Sequence, residues 1–230
     1  NRGDEIIVGD KSHTFYYEAG GVSAYGGIHS RQLPNNEDGT IDLTLLKNSI
    51  RSEDDHFPTT TLISLENTHN MCGGAPLSTN YLKDVFQLAK KQDIKIHIDG
   101  ARIFNAAVAT KSSVAHIASY TDSITFCLSK GLSSPIGSII CGSEEFIYQA
   151  RKIRKGLGGG MRQSGIIACL GIYSLDKMVD QLEDDHKNAQ LLASELYKVN
   201  AIDIDPSSVQ TNLIYFKLSN SKIDANKFVM

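Results

Sequence analysis

Short runs of β-branched and aliphatic residues recur along the chain, each bounded by glycine, proline or polar residues, with amphipathic stretches between them. The runs predict strands over Glu5–Val8, Ile28–Leu33, Thr61–Glu66, Ile94–Asp99, Ser123–Leu128 and Ser138–Cys141. Over Tyr81–Lys91 the period lengthens, and Leu82, Val85, Phe86, Leu88 and Ala89 fall on one face of a helix. A shorter helix is expected over Asp42–Ile50, after the turn Asn36-Glu37-Asp38-Gly39. Strand and helix in alternation predict an α/β fold with a mostly parallel sheet.

The second half changes character. Helices are predicted over Glu145–Lys155, Gln163–Lys177 and Asp180–Lys198, the last carrying Leu182, Leu191, Leu192, Leu196 and Tyr197. Residues 203–208 resemble a linker, and Thr211–Leu218 is expected to be a strand that opens a smaller α+β unit. We therefore place a large domain over residues 1–200 and the start of a second domain over 201–230, with Phe228-Val229-Met230 inside a helix. The first residue is Asn1 and a strand follows almost at once, so the sequence is expected to be an internal part of a longer protein.

Composition narrows the partners more than the fold. With 23 Lys+Arg against 26 Asp+Glu, the net charge of −3 removes the main argument for nucleic acid or an anionic membrane. No apolar run is long enough to span a bilayer. No targeting segment is visible, and the cytoplasm is the default compartment. None of Cys72, Cys127, Cys141 and Cys169 forms a CxxC pair, and the last three sit in apolar surroundings, which predicts buried free thiols and no zinc site.

Four polar clusters lie at or just past predicted strand ends, where open α/β sheets bind ligands. Asp99 ends the strand Ile94–Asp99, with Gly100 allowing close approach and Arg102 turning into a helix over Arg102–Val108. Its structural alternative is an Asp99–Arg102 ion pair with Asp99 as helix cap. Lys130 follows an apolar strand and precedes Gly131; at the rim of a low-dielectric pocket it would be a usable amine nucleophile, and otherwise a turn lysine. His69, in Leu65-Glu66-Asn67-Thr68-His69-Asn70, suits proton transfer or a backbone-bonded turn. His13 follows Glu5–Val8 and could stack on a planar cofactor, or sit in the first turn of a helix capped by Ser12. A fifth segment, Lys155-Gly156-Leu157-Gly158-Gly159-Gly160-Met161-Arg162-Gln163, is an anion-binding candidate, but it has neither Walker spacing nor a preceding strand. The absent glycine-rich first turn also sets aside a Rossmann-type nucleotide domain.

A carboxylate at one strand end and a lysine at another, about thirty residues apart, is what a pyridoxal phosphate enzyme requires. The segments Gly9-Asp10-Lys11-Ser12-His13 with Glu18-Ala19-Gly20-Gly21, Leu65–Asn70, His97–Ala106, Leu128–Leu132 and Gly158–Gln163 run in order over nearly the whole chain. Together they resemble the aromatic amino acid β-eliminating lyase/threonine aldolase family, in the aspartate aminotransferase-like fold (fold type I). The resemblance implies pyridoxal 5′-phosphate as cofactor and a small β-hydroxy-α-amino acid as substrate, cleaved from L-threonine or L-allo-threonine to glycine and acetaldehyde. It implies that Lys130 carries the cofactor as a Schiff base, Asp99 pairs with the pyridinium nitrogen and His13 stacks on the ring. Arg102 would bind the substrate carboxylate, His69 would lie near the β-hydroxyl, and Lys155 and Arg162 would flank a loop near the cofactor phosphate of a neighbouring subunit. It further implies a homotetramer with shared sites. The family's Ser/Thr-Gly-Thr phosphate loop, an N-terminal Ser-Asp-Thr stretch and a second carboxylate-binding arginine have no counterpart in these 230 residues, and Ser133 stands where glycine or alanine is usual. Another pyridoxal phosphate lyase, or a non-catalytic remnant, are the competing readings.

Overall fold

A six-stranded sheet organises the computed structural model, which describes residues 1–219. In chain order the elements are β1 (Glu5–Gly9), α1 (His13–Tyr16), α2 (Gly21–Ala24), β2 (His29–Leu33), α3 (Leu43–Ser49), β3 (Thr60–Glu66), a 3-10 turn (Asn70–Cys72), α4 (Thr79–Lys91), β4 (Lys95–Asp99), α5 (Ile103–Thr110), α6 (Val114–Ala118), β5 (Ser123–Cys127), β6 (Ser138–Gly142), α7 (Glu144–Gly156), α8 (Gly165–Lys177), α9 (Leu182–Leu196), β7 (Ile202–Asp203), a second 3-10 turn (Pro206–Ser208) and β8 (Lys217–Leu218). All six strands expected for the first 142 residues are present, in an α/β arrangement.

The sheet order is β2-β1-β3-β4-β5-β6. The strands from β1 to β5 pair in parallel, and β6 returns antiparallel to β5. Because the chain crosses from β2 on one side of β1 to β3 on the other, the order reverses at β1, the place where such sheets open a crevice. Ile7, Ile63, Ile96 and Ile98 from the central strands pack with Leu82 and Val85 of α4 and Ile103 of α5 in the main core. Each such side chain contributes about 1.5–3 kcal/mol by leaving water. The helices are set by local signals: Asp42 accepts the Leu45 N–H at the start of α3, and the Ser78 hydroxyl accepts that of Tyr81 at the start of α4.

At the amino end of the sheet, Glu5 is fully buried yet paired. Arg51 Nε donates to it at 3.0 Å and Thr60 Oγ1 at 3.1 Å. This ion pair closes the end of the sheet opposite the site.

Leu182 at the start of α9 packs with Leu128 and Leu132, which anchors the loop after β5. Ala189 and Ala193 of α9 pack with Ile204 and Val209 in a separate small core. The expected strand over Thr211–Leu218 reduces to Lys217–Leu218, paired antiparallel with Ile202–Asp203. Its upstream half is engaged elsewhere: Thr211 Oγ1 donates to the Gly74 carbonyl at 2.8 Å, and Leu213 lies close over Gly74. The helix expected at Phe228–Met230 lies outside the described residues.

The thiols also depart from expectation. All four cysteines are free, but Cys141 and Cys169 are exposed and Cys72 and Cys127 half-buried. Cys141 lies on β6, whose five residues are all exposed, and Cys169 lies on the outer side of α8. Ile139 and Ile140 of β6, Phe146 and Ile153 of α7 and Leu157 just after it line an open apolar groove of about 620 Å³. Among the described residues, no helix is long and apolar enough to cross a membrane.

Candidate active site

Strands β1, β3, β4 and β5 are neighbours and parallel, so their carboxyl ends open on one edge of the sheet, and each delivers one polar segment there. Asp99 is the last residue of β4, and its Oδ1 accepts the Ala101 N–H at 3.2 Å. The Asp99–Arg102 ion pair does not form. Arg102 Nη1 donates instead to Asn70 Oδ1 at 3.4 Å, and among the described residues no cation pairs with Asp99. Gly100 is required by contact: an added Cβ would stand 2.6 Å from the Thr125 carbonyl oxygen. Without one, the Gly100 N–H reaches that oxygen at 2.8 Å and holds the exit of β4 against β5.

Lys130 lies three residues beyond β5, between the buried anchors Leu128 and Leu132. Gly131 permits the loop to close, since a Cβ there would stand 2.8 Å from Leu182 Cδ2. The side chain of Lys130 is exposed at the mouth of the cavity and, among the described residues, has no acidic partner. Ser133, in the same loop, takes a left-handed φ of +59°.

His13 opens α1 after β1. Ser12 occupies the cap position but makes no side-chain cap bond. The His13 N–H donates to Glu66 Oε2 at 2.7 Å, while its ring Nδ1 lies 3.1 Å from Glu18 Oε1. Glu66 ends β3 directly beside Asp99 in the parallel register, and its Oε1 accepts the Asn70 N–H at 2.8 Å. Burial pushes the Glu66 carboxyl up and the Asp99 charge adds to this, against the two N–H bonds that pull it down.

His69 is placed differently from the expectation. It is fully buried, neither ring nitrogen has a hydrogen-bond partner, and Nε2 stands 3.9 Å from Glu66 Oε2. Gly39, at φ +82°, packs its backbone on the imidazole: a Cβ there would stand 2.7 Å from His69 Cβ. Burial, reinforced by the Lys11 charge, pulls its pKa down to about 4. His69 is therefore a neutral ring behind Glu66, outside the cavity lining. Lys155 sits exposed in the last turn of α7 and Arg162 on the exposed loop between α7 and α8, and neither borders the cavity.

The cavity holds about 220 Å³ and brings together His13, Glu66, Asp99, Arg102 and Lys130. Glu66 and Asn70 were present in the sequence only as members of a polar run around His69. The signal that marks Glu66 is positional: it ends its strand level with Asp99. Tyr215, from the segment after α9, also comes within electrostatic reach of Arg102 and Glu66.

The parallel sheet with one antiparallel strand, and polar groups converging at its carboxyl edge, define the architecture of fold-type I pyridoxal phosphate enzymes. The sequence model of the beta-eliminating lyase family matches residues 1–219, and the chain belongs to that family. It is 43% identical over 229 residues to low-specificity L-threonine aldolase 1 of Arabidopsis thaliana, covering 98% of this chain and 64% of that protein. With low specificity L-threonine aldolase of Escherichia coli (strain K12) it shares 41% over 224 residues, or 97% and 66% of the two chains. The structure of Leishmania major threonine aldolase superposes with a TM-score of 0.74 at 19% identity, covering 86% of this chain and 58% of that one. The chain thus spans less than two thirds of the length of these relatives.

Proposed function

We propose that this site binds pyridoxal 5′-phosphate and serves the cleavage of a β-hydroxy-α-amino acid, L-threonine or L-allo-threonine, to glycine and acetaldehyde. The observation that carries the reading is the placement of Asp99 and Lys130 at the ends of adjacent strands on one cavity. The donor set fits the cofactor: a carboxylate without a cation partner among the described residues, a primary amine likewise unpaired, a guanidinium and an imidazole. Relatives named as low-specificity L-threonine aldolases support the substrate class.

Pyridoxal phosphate, when bound, supplies the electron sink that lets a bond at Cα break. Lys130 would hold its aldehyde carbon through the side-chain amine, which the Leu128 and Leu132 anchors present to the cavity. The Asp99 carboxylate would accept the ring N–H and keep that proton in place. Arg102, steadied by Asn70, would bind the substrate carboxylate through its planar fork and so fix which bond at Cα can break. His13 borders the cavity and is our choice for accepting the β-hydroxyl proton, with Glu18 orienting its ring. His69 would influence that proton only through Glu66. Lys155, in the last turn of α7, and Arg162, on the exposed loop that follows, would serve a neighbouring subunit's cofactor phosphate. The apolar groove between β6 and α7 supports self-association, with a homotetramer as the proposed state.

The test adds pyridoxal phosphate to the purified chain, records the visible absorbance of a lysine-bound cofactor, and then supplies DL-threonine. Acetaldehyde with glycine is the expected product pair. Pyruvate with ammonia would assign β-elimination instead, and no absorbance change would refute cofactor binding by this chain.

A further inference from the structure

We infer that Glu66 is a positioning residue of this site: its buried carboxylate ties the turn that carries His13 to the turn that carries Asn70, and through Asn70 it sets Arg102. The inference rests on the proposed function only for what His13 and Arg102 act upon. The tie itself is visible in the geometry. His13 and Asn70 are the first residues of α1 and of the 3-10 turn, and first-turn amides have no acceptor within their own helix. The residues that usually supply one do not: neither Ser12 nor His69, at the two cap positions, makes a side-chain cap bond. Glu66 satisfies both amides from a third element, through opposite oxygens, Oε2 at 2.7 Å and Oε1 at 2.8 Å.

Only a carboxylate can do this. Each of its oxygens accepts, whereas a glutamine side chain has one accepting oxygen and must turn its NH2 toward the other amide. In a buried site that leaves two donors facing each other without an acceptor. The tie also has a rigid base. Glu66 is in register with Asp99, and the Asn67 N–H donates to the Asp99 carbonyl at 2.9 Å. The two turns are thus referred to the same strand ends that carry Asp99. Arg102 depends on this at one remove, since its contact with Asn70 is long at 3.4 Å and fails with a small shift of that turn.

The test compares the full chain with Glu66→Gln and Asn70→Ala. Without cofactor, amide hydrogen exchange is followed by NMR at His13 and Asn70. With pyridoxal phosphate, KM and kcat for DL-threonine are measured beside the absorbance of the bound cofactor. Glu66→Gln should speed exchange at one or both amides by about tenfold or more and raise KM by about tenfold, with the cofactor absorbance retained. Asn70→Ala should raise KM likewise and leave the His13 amide as slow as in the wild type. Should Glu66→Gln not fold, Glu66→Asp, one methylene too short to span both amides, is read in the same way. Unchanged exchange at both amides, or an unchanged KM in Glu66→Gln, overturns the inference. A wild-type chain that takes up no cofactor defeats the proposed function instead, and the exchange comparison still decides the tie.

Discussion

Glu66 and Asp99 occupy the same level on neighbouring parallel strands, yet their carboxylates meet opposite surroundings. Glu66 is buried and has an N–H on each oxygen; Asp99 is half-buried, with one N–H from Ala101 and no cation within reach among the described residues. One carboxylate is committed to the scaffold and the other is available to a ligand. Desolvation and coordination, not residue type, divide the two roles.

Asp99→Asn should therefore leave the fold and the Lys130-bound cofactor in place while slowing turnover by about two orders of magnitude or more, because an amide cannot hold the ring proton as a carboxylate does. Glycine release from threonine, followed beside the absorbance spectrum, reads this directly. Turnover at the wild-type rate would remove the electron-sink role of Asp99.

Lys130→Ala tests the other half of the pair. The side chain is exposed and anchored only through its neighbours Leu128 and Leu132, so its removal should change stability by no more than about 0.5 kcal/mol. The visible band of the lysine-bound cofactor should disappear, and threonine cleavage with it. A variant that keeps both would show that another amine serves.

The sheet and the site edge were legible for a physical reason. Buried parallel strands are nearly continuous apolar runs, and β1, fully buried over Glu5–Gly9, hides even a glutamate. Asp99, Arg102, His13 and Lys130 were legible because each lies at the end of such a run or within a few residues of it. His69 was not, because its burial comes from Gly39, thirty residues earlier, whose backbone closes on the ring. Arg162 lies on the exposed loop between α7 and α8, away from the strand ends that line the cavity. The strand over Thr211–Leu218 has the right residues but only a two-residue partner, and Thr211 bonds to Gly74 instead.

The burial of His69 has a pH signature. Its folded pKa is about 4, against the 6.5 usual for a histidine in water. Between these values the unfolded chain binds a proton that the folded chain does not, so stability falls as pH drops from 6.5 toward 4, by at most about 3 kcal/mol from this group. His97 and His186, also lowered by burial, act in the same sense, and Glu66, raised, acts in the opposite one. His69→Leu isolates the ring. Urea unfolding of wild type and variant at pH 7 and pH 4.5 should show the variant losing less stability, and parallel losses would place an exposed histidine there.

Gly100 joins the fold to the site most directly. A methyl group at this position would stand 2.6 Å from the Thr125 carbonyl and 3.0 Å from Ile103 Cβ, and neither is the tip of a flexible side chain. Gly100→Ala must separate the exit of β4 from β5, at a cost of about 1–3 kcal/mol. The same movement shifts Asp99 relative to Lys130. The variant should bind pyridoxal phosphate more weakly as well as unfold at lower urea. Gly156→Ala, at the end of α7 with nothing within 4 Å of the added methyl, is the control and should unfold no earlier than wild type. If Gly100→Ala lost stability but held the cofactor with wild-type affinity, the spacing of β4 and β5 would not govern the site.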